Sequence, residues 1–423
     1  MRFALITLAE SEYWQSCHYA TLGLKSAYAE AFGSQSIEHS LSKFCDPSKL
    51  RQLAEKLVIS KCGLVVFVDS SPLYGRMLAA LQQAGYAGAF RFHVFGDVVR
   101  RSSEWLSYAS FLKGHIVEWV CASERQQRLV NSLLPSNSSL TWVCPFPVFQ
   151  RDFGFSEKLR EEKRNQLGFH KNDFVILYTG RMTLQKNVLA LLKAFALLPS
   201  SLQKKSKLVF AGDFDDLCAP FTGLHYSSGS FFALWQKEIE AMPAETKERI
   251  HILPGASRKD LRSLYSAGDL FVSLSLQHDE DFGMAPVEAA SSGLPLVLTS
   301  WGGYANFHSS SPFVKMIPVT LAEQGPSFEL STVSESIGAL AQAVKARRRT
   351  ILPQVGEFTV HKVAELLRAH RAPQNTHARF TDFGGKMREL SALFDSAANL
   401  VVFSDLGENS VYEQVYRNYC DEK

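Results

Sequence analysis

The 423-residue sequence lacks any apolar run approaching the roughly 20 residues that span a bilayer, so no membrane-crossing helix is expected. It also lacks an excess of one charge: Lys and Arg total 45 against 42 Asp and Glu. A dedicated nucleic-acid binder carries a clearer basic surplus, so no nucleic-acid partner is expected. The small surplus lies in residues 1–150, which hold 14 basic and 11 acidic side chains. That half could meet an anionic acceptor or a membrane surface peripherally, or could simply be a solvated face. The seven cysteines include no CxxC pair. Scattered and odd in number, they fit inert thiols in a reducing compartment better than a disulfide framework or a zinc site. The opening apolar run is short and ends at Glu10 and Glu12, which does not read as a signal peptide, so a cytoplasmic location is expected. No repeat at solenoid or propeller periods is present. No GxxxxGK[ST] occurs, and no GxGxxG follows the first apolar run, which argues against a P-loop enzyme and against a nicotinamide-dependent oxidoreductase.

What is present is ordinary globular composition, 46% hydrophobic and 21% charged, at a length suited to two or three domains. Short β-rich runs alternate with helix-like segments. The expected strands are 3–8, 64–69, 90–95, 116–121 and 141–144, then 174–179, 207–211, 250–253, 270–274 and 295–299. Helical patterns cover 184–197 and 258–267. Uninterrupted Val, Ile, Leu and Phe runs between helices indicate parallel strands buried on both faces, hence two doubly wound α/β domains in tandem. The expected division is 1–150, a linker at 151–171 containing a charged helix, and 172–404, followed by a short terminal helix within 405–423. Pro145 and Pro147 break regular structure at the boundary. Residues 321–397, with their basic cluster at Lys345, Arg347, Arg348 and Arg349, match no assignable pattern.

In open parallel sheets, ligands bind beyond the carboxyl ends of the strands. Three strand-to-helix junctions carry suitable chemistry. At the first, a strand ends at Thr179, Gly180 allows a tight turn, and Arg181 and Lys186 flank the start of a helix. Two cations beside a helix N-terminus suit an anion such as a diphosphate, though a surface Arg and Lys near a turn is an equal reading. At the second, a polar loop holding Glu280 leads through Gly283 into a helix with Pro286 in its first turn and Glu288 inside it. The amides of Gly283, Met284 and Ala285 could support an anion, and a carboxylate can accept bonds from vicinal sugar hydroxyls. Glu288 could instead be an exposed helical residue, but its apolar neighbours argue against that. At the third, His93 ends a strand before Gly96 and Asp97, where a structural and a catalytic role are equally open.

Taken in order, Gly180-Arg181, Lys186-Asn187, Ala211-Gly212-Asp213, Leu253-Pro254-Gly255, the Glu-x7-Glu element Glu280–Glu288 and Trp301-Gly302-Gly303 resemble glycosyltransferase family 4. The resemblance covers about residues 172–305. It implies the GT-B fold: two Rossmann-like domains across a cleft, with the last helix crossing back to the first. It also implies a nucleotide-diphosphate sugar donor and retention of anomeric configuration. Transfer would be of a hexose-type sugar, without an essential metal or other cofactor, to a glycan, glycolipid or other envelope acceptor.

Carried over by residue, Arg181 and Lys186 would hold the donor diphosphate, Glu280 the transferred sugar and Glu288 the ribose. The Gly283, Met284 and Ala285 amides would support phosphates or sugar, and Leu253 and Pro254 would pass near the base. His93 would stand over the donor sugar. No DxD-type metal motif occurs in a suitable place, so the cationic pair would serve the leaving group. The first loop departs from the family's Gly-Gly pattern. Glu10, Tyr13 and Trp14 stand there and, with Asp97, are candidate acceptor contacts; Tyr13 or Trp14 could stack on a sugar or simply pack. The alternative from another class is a non-catalytic nucleotide-sugar or glycan-binding protein on the same fold. Retention of Arg181, Lys186, Glu280 and Glu288 argues against it.

Overall fold

The computed structural model describes residues 2–396 except 10–14, 34–35, 43, 97, 99–100, 136–139, 215–228, 278–279, 308–310, 323–324, 345–348, 350 and 371–378, and beyond 396 only Glu413. The chain forms two compact units. The first comprises Met1–Val148 with Phe358–Leu400 and Leu406–Lys423; the second is essentially Phe149–Glu357.

The first unit holds a six-stranded sheet. Its strands are β1 (Phe3–Leu8), β2 (Ser36–Leu41), β3 (Leu64–Val68), β4 (Ala89–His93), β5 (Val117–Cys121) and β6 (Leu140–Val143), in the order β2-β1-β3-β4-β5-β6. Every pairing is parallel. The second unit holds β7 (Phe174–Thr179), β8 (Ser206–Ala211), β9 (Ile250–Leu253), β10 (Leu270–Ser273), β11 (Leu296–Thr299) and β12 (Val314–Ile317), in the order β12-β11-β10-β7-β8-β9, again all parallel. Strands β3, β10 and β11 are buried along their whole length, which is why they read as unbroken apolar runs.

Two edge strands were not expected from the sequence, β2 and β12. Ser36–Leu41 has only two apolar residues, Ile37 and Leu41, and Val314–Ile317 is short with Lys315 exposed. Helix starts follow side-chain caps. Ser71 and Asp46 cap helices that open on Pro72 and Pro47, and Ser156 and Ser257 cap Glu157–Gln166 and Arg258–Ala267.

The expected second domain, 172–404, differs from this division in two ways. The unit begins at Phe149, so the charged helix Glu157–Gln166 is part of it rather than a linker. Arg160 and Arg164 bind Asp269 at 2.6 Å each, the residue just before β10. From Phe358 the chain belongs to the first unit. Helix Val360–Ala369 buries Val363, Ala364 and Leu367 and lies against Gln15–Phe32. There His361 Nδ1 sits 2.6 Å from Glu30 Oε1, and Arg368 Nη2 donates to the Glu30 carbonyl at 2.8 Å. The expected terminal helix within 405–423 lies outside the described residues. No helix among the described residues is long and apolar enough to cross a membrane.

The first sheet is pinned by a charge pair inside it. Arg91 on β4 and Glu118 on β5 are register partners, 2.5 Å apart and 2% and 0% exposed. Arg91 Nη1 also donates to the Tyr28 hydroxyl at 3.2 Å. Removing one partner strands the other charge in a low-dielectric interior. Glu118→Ala should therefore lower unfolding free energy by about 3–5 kcal/mol in denaturant titrations. A loss below about 1 kcal/mol would show that the pair does not hold the sheet.

Candidate functional site

In the second sheet the chain runs β7, β8, β9 to one side, then returns to place β10, β11 and β12 on the other. The carboxyl ends of β7 and β10 thus lie side by side at a reversal of strand order, where a crevice is expected.

On the β7 side, Gly180 and Arg181 follow Thr179. The Tyr178 hydroxyl donates to the Arg181 carbonyl at 2.8 Å, and Arg181 Nη2 donates to Gln185 Oε1 at 3.3 Å. The helix begins at Val188, four residues later than expected, because Asn187 adopts a left-handed conformation with φ 53°. Lys186 therefore stands in the turn before the helix, its amide donating to Thr183 Oγ1 at 3.1 Å.

On the β10 side, the loop brings Glu280 back to that turn. Lys186 Nζ donates to Glu280 Oε2 at 2.7 Å, and Ser275 Oγ donates to the same oxygen at 2.6 Å. The carboxylate is 7% exposed and the lysine 25%. The loop is held from β11 and beyond: Thr299 Oγ1 donates to the Ser275 carbonyl and Trp301 Nε1 to the Gln277 carbonyl, both at 2.7 Å. Close packing explains two glycines. A Cβ on Gly303 would come 2.2 Å from the Asp281 carbonyl oxygen. One on Gly283, at φ +96°, would come 2.7 Å from the Tyr304 ring.

Gly283 opens helix Met284–Ser291, and Glu288 faces inward from it, 7% exposed. The Tyr265 hydroxyl donates to Glu288 Oε2 at 2.9 Å and lies 2.7 Å from Thr179 Oγ1. Burial pushes the Glu288 carboxyl up to about 7, against the Tyr265 bond and the Arg258 charge, which pull it down. Along the same sheet edge, β9 ends at Leu253, which is half-buried, followed by exposed Pro254. The Gly255 amide donates to Asp213 Oδ1 at 3.0 Å and fixes that loop. It lies two strands from β7, about 10 Å at ordinary strand spacing.

Residues 159–309 match the family model of glycosyl transferases group 1. Over 148 residues the chain is 30% identical to the lipopolysaccharide 1,2-N-acetylglucosaminetransferase of Salmonella typhimurium, covering 35% of this chain and 36% of that one. It is 26% identical over 147 residues to spore coat protein SA of Bacillus subtilis, covering 35% of each. The match thus spans about a third of the length of these relatives. The crystal structure of Anabaena HepE in complex with UDP and glucose superposes with a TM-score of 0.61 at 14% identity, over 87% of this chain and 98% of that one. WaaG, described as a glycosyltransferase involved in lipopolysaccharide biosynthesis, gives 0.51 at 15% identity over 94% and 99%. The fold is GT-B.

Within the second GT-B unit, the structure joins Lys186 to Glu280 directly, and Glu288 through Tyr265 to the end of β7. Gly283, Met284 and Ala285 form the first turn beside them. His93 is placed otherwise than at an open strand end. It is fully buried, its Nε2 is 2.9 Å from the Tyr28 hydroxyl, and burial followed by the Arg91 charge pushes its pKa down to about 3. That neutral imidazole packs under helix Gln15–Phe32 through Tyr28, and its Nδ1 is buried with no hydrogen-bond partner among the described residues. Glu10, Tyr13, Trp14 and Asp97 lie outside the described residues. Among the described residues no group of three or more His, Cys, Asp or Glu is placed to hold a metal. Sequence reasoning missed Ser275 and Tyr265. Ser273, Ser275 and Gln277 recur at every second position as β10 ends, a polar stripe that could have signalled the first.

Because the folded pKa of Glu288 is raised, the folded chain holds a proton that the unfolded chain has released between about pH 4.5 and 7. Stability attributable to this group therefore falls as pH rises through that window and stays low above it. Glu288→Gln, which still accepts from Tyr265, should melt higher than the parent near pH 8, with the gain fading near pH 5. An equal difference at both pH values would contradict the burial assignment.

Proposed function

We propose that this chain is a glycosyltransferase that moves a hexose-type sugar from a nucleotide-diphosphate donor to a glycan, glycolipid or other envelope acceptor. Retention of configuration and independence of metal belong to the same reading. The observation that carries it is the convergence of Lys186, Glu280 and buried Glu288 at the strand-order reversal of the second unit. The group 1 match over residues 159–309 supports the reaction class. The Salmonella lipopolysaccharide enzyme supports an envelope acceptor, and the UDP and glucose held by HepE make UDP-sugars the first donors to try.

The chemistry follows from the arrangement. Lys186 already shares its charge with Glu280, and a diphosphate, more highly charged than a carboxylate, competes for that ammonium. Ser275 keeps Glu280 Oε2 in place as the lysine turns to the phosphates, so the carboxylate can accept from sugar hydroxyls. Arg181 offers a second, forked donor to the same diphosphate. Lys186, Arg181 and the first-turn amides of helix Met284–Ser291 then stabilise the negative charge that grows on the leaving group, the work a metal does elsewhere. Glu288, inclined to hold its proton at neutral pH, is relieved by two vicinal ribose hydroxyls that donate to the ionised form. A cytoplasmic enzyme that meets its acceptor at a membrane surface fits this reading.

Lys186→Ala should cut turnover by about 100- to 1,000-fold in a folded protein, because it removes leaving-group stabilisation. Unchanged turnover would sink the diphosphate assignment. EDTA should leave transfer intact; strict dependence on added Mg²⁺ or Mn²⁺ would refute the metal-free reading. Thermal-shift screening against UDP-, GDP-, ADP- and CDP-sugars separates the alternative. A stabilising donor that is neither transferred nor hydrolysed would mark a non-catalytic nucleotide-sugar-binding protein.

A further inference from the structure

Arg349 lies far along the chain from both carboxylates, yet it ties together the two helices that make the Glu288 site. Its Nη1 donates to the carbonyls of Ser266 at 2.8 Å and Gly268 at 3.0 Å, and its Nη2 to the carbonyl of Tyr265. These carbonyls close helix Arg258–Ala267, which carries the Tyr265 hydroxyl. On its other side, Nε donates to the Ser292 carbonyl at 2.8 Å and Nη2 to Ser292 Oγ at 3.2 Å, at the end of helix Met284–Ser291, which carries Glu288. The Phe155 ring covers the guanidinium at 4.5 Å. Three residues on, the Leu352 amide donates to the Ala290 carbonyl at 3.3 Å, fastening the same segment to the same helix.

Two helix carboxyl ends, each with unpaired carbonyls and partial negative charge, thus converge on one planar cation. A guanidinium can serve both at once because its donors point in fixed, different directions; an ammonium cannot reproduce that fork. Arg160 provides an internal contrast. It also donates to the carbonyls of Ser266, Ala267 and Gly268 and to Asp269 Oδ1, but among the described residues it makes no hydrogen bond to the Glu288 helix.

We propose that Arg349 is a positioning residue for nucleotide binding: by clamping the ends of both helices it holds the Tyr265 hydroxyl on Glu288, and so orients the carboxylate for ribose hydroxyls. The inference rests on the reading of Glu288 as the nucleoside contact.

The test uses the full-length protein and calorimetric titration with UDP, GDP, ADP and CDP, alongside donor KM, kcat and melting temperature. Arg349→Lys should weaken nucleotide binding about tenfold and raise donor KM alike, while kcat at saturating donor falls less than about threefold. Arg160→Lys should lower the melting temperature with nucleotide affinity within about twofold of the parent. In a Tyr265→Phe background, Arg349→Lys should add less than about a twofold further loss, since the hydroxyl through which it acts is gone. Arg349→Ala is expected to be the less stable variant, so the lysine substitution carries the decision. An Arg349→Lys protein that melts lower but binds nucleotide like the parent would overturn the inference, as would full additivity with Tyr265→Phe. If Glu288→Gln itself leaves nucleotide affinity unchanged, or if none of the four nucleotides binds the parent, the reading of the Glu288 site fails and this inference falls with it.

Discussion

When the chain leaves β9 and returns to the far side of β7, it sets the ends of β7 and β10 next to each other. Successive parallel strands normally fill one flank in turn, and each crossover covers the edge it has just made. Where the order reverses, the two crossovers depart in opposite directions and nothing covers the edge between them. That constraint decides which side chains can act. Lys186 comes from the turn after β7, Glu280 from the loop after β10, and they meet at 2.7 Å because their strands are hydrogen-bonded neighbours. Ninety-four positions of separation in the chain are closed by one strand pairing. The holding interactions follow from the same neighbourhood, since Thr299 and Trp301 reach the loop after β10 from the next strand, β11.

The central strands were legible because burial on both faces leaves only apolar residues to read. All ten strands expected from the sequence exist, most within one residue at each end. The edge strands β2 and β12 were not legible for the converse reason. An edge needs burial on fewer sides, so Glu38, His39 and Lys315 are tolerated and the apolar signal disappears. Residues 358–396 were misassigned because a buried stripe of three small or aliphatic side chains, Val363, Ala364 and Leu367, says that a helix packs but not on which unit. In the site, charged residues at strand ends could be read directly. Their hydroxyl partners could not, because Ser275 and Tyr265 acquire meaning only through the tertiary distance to a carboxylate. His93 shows the converse case. Its position at a strand end is right, but the side chain turns under a helix rather than outward.

Two buried carboxylates show how the chain separates scaffold from site. Glu118 has a guanidinium at 2.5 Å, and removing one partner of such a pair strands the other charge in the interior. Glu288 receives a neutral hydroxyl at 2.9 Å instead, so the cost of charging it is only partly offset within the fold. A protein selected for stability alone would place Gln or Met there. On the proposed reading, an acid whose ionised form is disfavoured is kept because a donor of two hydrogen bonds arrives from outside. The same difference explains why one carboxylate lies mid-strand on β5 and the other at a reversal of strand order.

The positive charge near residue 349 completes this division of labour. In a sheet of parallel strands the connecting helices run antiparallel to the strands, so their carboxyl ends gather at the edge opposite the crevice. Those ends are negative, while the first turn of helix Met284–Ser291 at the crevice is positive. Arg160, Arg164 and Arg349 neutralise the far edge, with Asp269 accepting from Nη2 of the first two. Read as sequence, the basic cluster Lys345 to Arg349 matches no assignable pattern. Its one described cation is instead committed to carbonyls and a phenyl ring of its own unit. On the proposed reading, Arg349 serves the anion site without touching the anion: it holds in register the two helices on which that site is built.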